Sequence, residues 1–223
     1  MTGAGLQAVL WDLDGTLIDS EPAWCAAEFE LAARHGATWS EEHALRLVGS
    51  DLLASGVYIR DHMRLDLTPQ QIVDQLLARV GEAVRREVPW RAGARELLLA
   101  QHAAGVPAAL VTMSYRTLAS TVVDALPAGV FQAVVVGDEV TYGKPHPEPY
   151  RRAAQMLGVD PACCVAIEDS ATGATSAEAA GFHVLVVPNQ VPVPPSERRT
   201  FSDGLTRLDL VQLRELVCDC VTK

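Results

Sequence analysis

The chain has 223 residues, 49% hydrophobic and 21% charged, with a formal net charge of −10. This length admits one domain, or a core carrying a smaller insertion, and the composition excludes a disordered chain. The acidic balance excludes general nucleic-acid binding, which needs a basic face, and disfavours an anionic membrane surface; a phosphate ligand would need a local exception built from a metal, a lysine and backbone N–H groups.

In chain order, the first short apolar run, Ala8–Trp11, reads as a buried parallel strand, because such strands are continuous Val/Ile/Leu/Ala runs without alternation. From Glu21 to about Val88 no strand is convincing, and the segment reads as helices over Pro22–His35, Ser40–Val48, Asp51–His62 and Pro69–Val88. Ser40 and Thr68-Pro69 look like helix starts, with a hydroxyl N-cap and, in the second case, a first-turn proline. Strand and helix then alternate: a helix over Arg91–Ala104, a strand over Ala108–Thr112, a helix over Tyr115–Leu126, a strand over Ala133–Val136, and a helix over Pro147–Leu157. A strand over Cys163–Ile167, a helix over Ala171–Ala180 stopped by Gly181, and a strand over Val184–Val187 follow. Gln190–Pro195 is a proline-rich surface loop, and Thr206–Val217 is a closing helix. The expected fold class is α/β: a doubly wound parallel sheet with right-handed crossovers and an inserted helical cap. The core is assigned to residues 1–20 and 89–223, the cap to 21–88.

The five cysteines are Cys25, Cys163, Cys164, Cys218 and Cys220. The last two are one residue apart, not the two of a zinc or thioredoxin-like pair, so reduced thiols and a cytoplasmic location are expected. No signal peptide and no stretch of membrane-spanning length are read.

In an open parallel sheet, ligands bind beyond the carboxyl ends of the strands. Those ends carry Asp12-Leu13-Asp14-Gly15, Thr112-Met113-Ser114 and Glu168-Asp169-Ser170, and Gly143-Lys144-Pro145 follows the third strand. Each piece has an ordinary reading: a turn, a strand-end hydroxyl, a helix cap, a loop lysine. All of them together, in order, each after a strand, are poorly explained that way. Crowded carboxylates repel, and a hard cation relieves this. Asp12, Asp169 and Glu168 can offer oxygens, with a backbone carbonyl near Asp14, and magnesium suits a few carboxylates plus a substrate phosphate. A carboxylate there can attack phosphorus, and a second one two residues on can act as general acid and then base. Gly15 permits the tight turn that presents both.

These motifs, AVLWDLDGTLIDSE, ALVTMS, GKPHPEPY and VAIEDSATGATSAEAAG, resemble the haloacid dehalogenase superfamily in order and spacing over nearly the whole chain. The similarity is to its beta-phosphoglucomutase-like and phosphoglycolate-phosphatase-like members, which carry a Rossmann-like core and a small helical cap. The resemblance implies that Asp12 is the nucleophile and Asp14 the acid/base. It implies that Thr112, with Ser114 nearby, hydrogen-bonds the transferring phosphoryl group, and that Lys144 steadies Asp12 and the phosphate oxygens. Asp169 and Glu168, with Asp12 and Asp14, would hold Mg²⁺. The expected activity is a magnesium-dependent phosphatase acting on a small phosphorylated metabolite through an aspartyl-phosphate, in a monomer or weak dimer. A hexose-phosphate mutase and a non-catalytic phosphate- or protein-binding member are the alternatives.

Two departures bear on the mutase alternative. The histidine ten residues after the second aspartate is replaced by Trp24, and Leu52 and Leu53 stand where a cap arginine is expected. Both favour hydrolysis. Trp24, Val48–Leu53 and Tyr58 are the candidate cap contacts, with plain packing an equal reading for Trp24 and Tyr58.

Overall fold

The computed structural model describes residues 5–218; Cys220 lies outside them. Six strands form one all-parallel sheet: β1 (Ala8–Trp11), β2 (Ala108–Val111), β3 (Ala133–Val135), β4 (Cys164–Glu168), β5 (His183–Val186) and β6 (Arg199–Phe201), in the order β3-β2-β1-β4-β5-β6. The five expected strands are found with ends shifted by a residue or so. The sixth was not read. It is three residues beyond the proline-rich loop, half-buried Arg199 and Thr200 and exposed Phe201, and it pairs along the edge with β5 at Val184↔Arg199. An edge strand exposed on one side needs no apolar run, so the sequence carried no signal for it.

Within β1 the side chains alternate between two apolar layers. Val9 and Trp11 pack on one face, while Ala8 and Leu10 pack on the other. Helices α5 (Ala94–Ala103), α6 (Arg116–Val123) and α9 (Leu210–Cys218) lie with the first layer. Helices α7 (Glu148–Leu157) and α8 (Ala171–Ala179) cover the second. Both faces are therefore buried, as an all-parallel sheet requires.

Between β1 and α5 the chain makes four helices and no strand: α1 (Glu21–Arg34), α2 (Glu41–Leu45), α3 (Leu52–Met63) and α4 (Pro69–Arg86). Their starts follow local chemistry. Ser40 accepts from the His43 N–H, Asp51 from Ala54, and Thr68 and Gln71 form a reciprocal capping box with Pro69 in the first turn. The α4 stripe of Ile72, Val73, Leu76, Val80 and Val84 is buried against its neighbours, and α4 packs on both α1 and α6. The two chain segments joining these helices to the sheet run side by side, with Asp19 N–H donating to the Pro89 carbonyl and Arg91 N–H to the Leu17 carbonyl.

Cys25, Cys163 and Cys164 are free thiols. Among the described residues no helix is long and apolar enough to cross a membrane.

Candidate active site

The strand order reverses beside β1: β2 follows from one side and β4 sits on the other. That switch point opens a crevice at the carboxyl ends of the strands. Asp12 follows β1, Thr112 follows β2, and Glu168 ends β4 with Asp169 next to it.

Lys144 lies at the centre of the charge arrangement. Its ammonium donates to Asp12 Oδ1 at 2.7 Å, Glu168 Oε1 at 2.6 Å and the Val111 carbonyl at 2.9 Å. The side chain is only 3% exposed, and the ammonium also lies 5.2 Å from the Tyr150 ring centroid. Its peptide bond to Pro145 is cis. Burial disfavours the charged lysine, but Asp12 and Glu168 outweigh it and hold its pKa above the ordinary value.

One lysine faces three carboxylates. Asp12, Glu168 and Asp169 place carboxylate oxygens within 4.8 Å of one another, and all three are buried. Burial, with Glu168 and Asp14 nearby, pushes Asp12 up to about 7 although Lys144 pulls it down. Burial and the charges of Asp12 and Glu168 push Asp169 well above the carboxylate range. Asp12 Oδ2 and Asp169 Oδ2 are buried without a hydrogen-bond partner. Orphaned anionic oxygens in a dry site are costly, and a divalent cation satisfies them. The donor set therefore fits magnesium, with Asp12 and Asp169 offering free oxygens. Glu168 is more committed: Oε1 also accepts from the Tyr150 hydroxyl at 2.7 Å, and Ser170 approaches Oε2 at 3.4 Å.

Two glycines make the room. A Cβ on Gly15, whose φ is +82°, would stand 2.0 Å from Asp169 Oδ2, and one on Gly173 would stand 2.1 Å from both Glu168 oxygens. The Gly15 turn is held from outside by Arg91, which donates to the Gly15 carbonyl at 2.5 Å and the Val187 carbonyl at 3.0 Å.

Asp14 is not part of the three-carboxylate cluster. Its Oδ1 accepts from Ser20 at 2.6 Å and from the Trp24 indole N–H at 3.1 Å; its Oδ2 accepts from Ser114 at 2.7 Å and Thr112 at 3.3 Å. The Ser114 N–H in turn donates to Thr112 Oγ1 at 2.9 Å. Trp24 thus stands in the site and touches Asp14 directly. Tyr58 does not line the cleft: it stacks on His62, with ring centroids 3.8 Å apart, and meets Trp39 edge-on at 6.0 Å.

The cleft over these groups is roofed by the helices of residues 21–88. Gly49, in the loop before α3, passes so close to Ser170 that a Cβ there would lie 2.9 Å from its Oγ. Several residues of the site were not singled out in the sequence: Ser20, Tyr150, Arg91, and the two glutamates Glu21 and Glu28, which line the cleft from α1. Ser20, Glu21 and Tyr150 fall inside the motif stretches quoted above. Glu28 lies seven residues after Glu21, two helical turns along the same face, but that spacing is common on solvated helices and carried no signal alone.

The sequence profile of the haloacid dehalogenase-like hydrolases matches residues 6–181. The chain belongs to that family. Hexitol phosphatase B of Escherichia coli strain K12 is 32% identical over 192 residues, covering 81% of this chain and 83% of that protein. Protein CbbY of Rhodobacter capsulatus is 33% identical over 199 residues, covering 83% and 86%. With these relatives, the enzyme class is that of a phosphoric monoester hydrolase. Among solved structures, CbbY from Rhodobacter sphaeroides in complex with xylulose-(1,5)bisphosphate superimposes with a TM-score of 0.80 at 26% identity, over 93% of this chain and 99% of that one. The beta-phosphoglucomutase of Clostridium difficile gives a TM-score of 0.82 at 17% identity, over 98% and 100%, and shares the fold.

Proposed function

We propose that this protein is a magnesium-dependent phosphatase that hydrolyses a small phosphorylated metabolite of the sugar-phosphate kind, with an aspartyl-phosphate on Asp12 as the intermediate. The observation that carries the reading is the buried, partnerless Oδ2 of Asp12 next to the equally partnerless Oδ2 of Asp169, while Lys144 fixes the other Asp12 oxygen. A bound Mg²⁺ would be held by Asp12 and Asp169, with Glu168 and the Asp14 backbone carbonyl close by, and would supply charge neutralisation for the phosphoryl group.

The chain's own residues do the rest. Lys144 keeps Asp12 aimed and adds positive charge beside the phosphoryl oxygens. Thr112 and Ser114, which donate to Asp14 here, turn to the phosphoryl oxygens when substrate enters. Asp12 attacks phosphorus, and Asp14 gives a proton to the leaving oxygen. Asp14 then takes a proton from the water that attacks the aspartyl-phosphate, which releases inorganic phosphate and restores Asp12.

Residues 21–88 act as a cap on a core made of 1–20 and 89–223. The paired crossing segments are the hinge, and cap closure excludes bulk water. Hydrolysis rather than phosphoryl return to a sugar is supported at two positions. Trp24, not a histidine, holds Asp14 Oδ1, and Leu52, not an arginine, lines the cleft. The test is release of inorganic phosphate from p-nitrophenyl phosphate and from a panel of sugar phosphates, with Mg²⁺ and with excess EDTA. Activity that needs Mg²⁺ is expected; full activity in EDTA would refute the metal assignment.

A further inference from the structure

The cleft has two chemically different ends. At the inner end stand Asp12, Asp169, Lys144 and the hydroxyls of Thr112 and Ser114. The outer wall belongs to the helices of residues 21–88. It combines apolar side chains, such as Leu47, Ile59, Val73 and Leu76, with the carboxyls of Glu21 and Glu28. Among the described lining residues the one basic side chain is Lys144, and it is already shared between Asp12 and Glu168. Among the described lining residues contributed by 21–88, none is cationic.

Glu28 is held for a purpose other than solvation. It is 5% exposed, and the Trp39 indole N–H donates to its Oε2 at 2.9 Å, so the side chain is fixed in one place. A buried carboxyl on a cleft wall is unusual unless something pairs with it, and Trp39 supplies one hydrogen bond to a group that can accept several. Burial pushes Glu28 up to about 7, and burial with Asp14 and Glu28 nearby pushes Glu21 up to about 8.

We infer that Glu21 and Glu28 are specificity-determining residues that bind the hydroxyl groups of a neutral, polyhydroxylated monophosphate and exclude substrates with a second anionic group. The inference rests on the phosphatase reading above and extends it to the outer half of the cleft. Carboxyl groups accept hydrogen bonds from hydroxyls well, and the apolar side chains between them suit a carbon skeleton. A second phosphate, or a carboxylate, would arrive beside two acidic side chains in a low-dielectric cleft with no cation to meet it. That is discrimination by an unpaired charge. It separates this chain from an enzyme built to take a bisphosphate.

The experiment compares kcat/KM for six substrates with the Mg²⁺-loaded enzyme: glucose 6-phosphate and sorbitol 6-phosphate, the matched glucose 1,6-bisphosphate and glucosamine 6-phosphate, 2-phosphoglycolate, and p-nitrophenyl phosphate. The better of the two neutral hydroxylated monophosphates is expected to exceed the bisphosphate, phosphoglycolate and p-nitrophenyl phosphate by tenfold or more, while the amino sugar, whose cation the two acidic side chains accept, is not disfavoured to that degree. Glu28→Leu should lower the ratio of kcat/KM on that substrate to kcat/KM on p-nitrophenyl phosphate by on the order of tenfold, mainly through KM, as for loss of one hydrogen bond to an acidic group. Glu28→Gln keeps the shape and one acceptor, so its ratio should fall less. An advantage of less than tenfold over the bisphosphate or phosphoglycolate overturns the inference, as does tenfold rejection of the amino sugar or an unchanged ratio in both variants. Phosphate release from p-nitrophenyl phosphate alongside any of these leaves the phosphatase reading standing. No release from any of the six overturns that reading and this inference with it.

Discussion

Replacing Glu28 by Gln should make the protein more stable in alkaline solution. The carboxyl is buried against the cleft, with the Trp39 indole N–H as its hydrogen-bond partner. Burial lifts its pKa from an ordinary 4.5 to about 7, against the Trp39 hydrogen bond, which lowers it. The sign follows from proton linkage. The folded state holds this proton more tightly than the unfolded chain, so the associated stability is fully present below about 4.5 and lost as pH rises through about 7. At about 1.4 kcal/mol for each pH unit across that interval, the charged carboxylate costs about 3 kcal/mol at pH 8. Gln keeps an oxygen for Trp39 and cannot ionise. The stability gap between variant and wild type should therefore be small at pH 4.5 and open to about 3 kcal/mol at pH 8 in favour of Gln. For a chain of this length that is a Tm difference of about 10 °C. Urea denaturation and thermal melts at pH 4.5, 6, 7 and 8, in EDTA, read the gap directly. A gap that stays constant with pH, or a variant less stable at pH 8, would refute the claim that Glu28 is a carboxyl held out of water.

Lys144→Met should leave Asp12 and Glu168 facing each other across a dry site without their cation; removing one partner of such a buried pair costs about 3–5 kcal/mol, read by urea denaturation at pH 8, and phosphatase activity should be lost even in the folded fraction. Acidification should recover part of that stability as Asp12, already pushed up to about 7 by burial, takes up its proton. Asp12→Asn should reduce phosphate release by at least ~10³-fold while the circular dichroism spectrum is unchanged, because the amide keeps the shape but is a poor nucleophile; substantial activity in a pure sample would move the nucleophile elsewhere. Gly49→Ala should raise KM several-fold in steady-state assays. Its φ is +70° and its Cβ would press on Ser170, so the close approach of the loop before α3 to Ser170 is what the substitution disfavours.

Much of the fold was written locally. The strand at Ala8–Trp11, and that at Cys164–Glu168 up to its terminal glutamate, are apolar on both faces, and a run of that kind has few ways to be buried other than in the middle of a parallel sheet. The helix starts at Ser40, Asp51 and Thr68 follow from the hydroxyl or carboxylate just before the first turn. The grouping of the candidate site residues was legible for the same reason. Asp12, Asp14, Thr112, Lys144, Glu168 and Asp169 sit at or just beyond strand ends or in a neighbouring loop, and a parallel sheet brings those positions to one edge. The three-residue edge strand at Arg199–Phe201, with no buried residue, left no such trace.

What the sequence could not specify depends on which groups meet after the chain is packed. That Lys144 is shared between Asp12 and Glu168, and that Asp12 Oδ2 and Asp169 Oδ2 are left without partners, are facts of distances between segments more than 20 residues apart. Trp24 touching Asp14 and Tyr58 stacking on His62 had equal standing in the sequence, and the placement of α1 and α3 separated them. Glu28 reads as a solvated helix position until Trp39 and the cleft close around it. Sequence determines the chemistry of a side chain and its position along an element. Tertiary packing alone determines its solvent and its neighbours, and those set the charge it carries and the ligand it can meet.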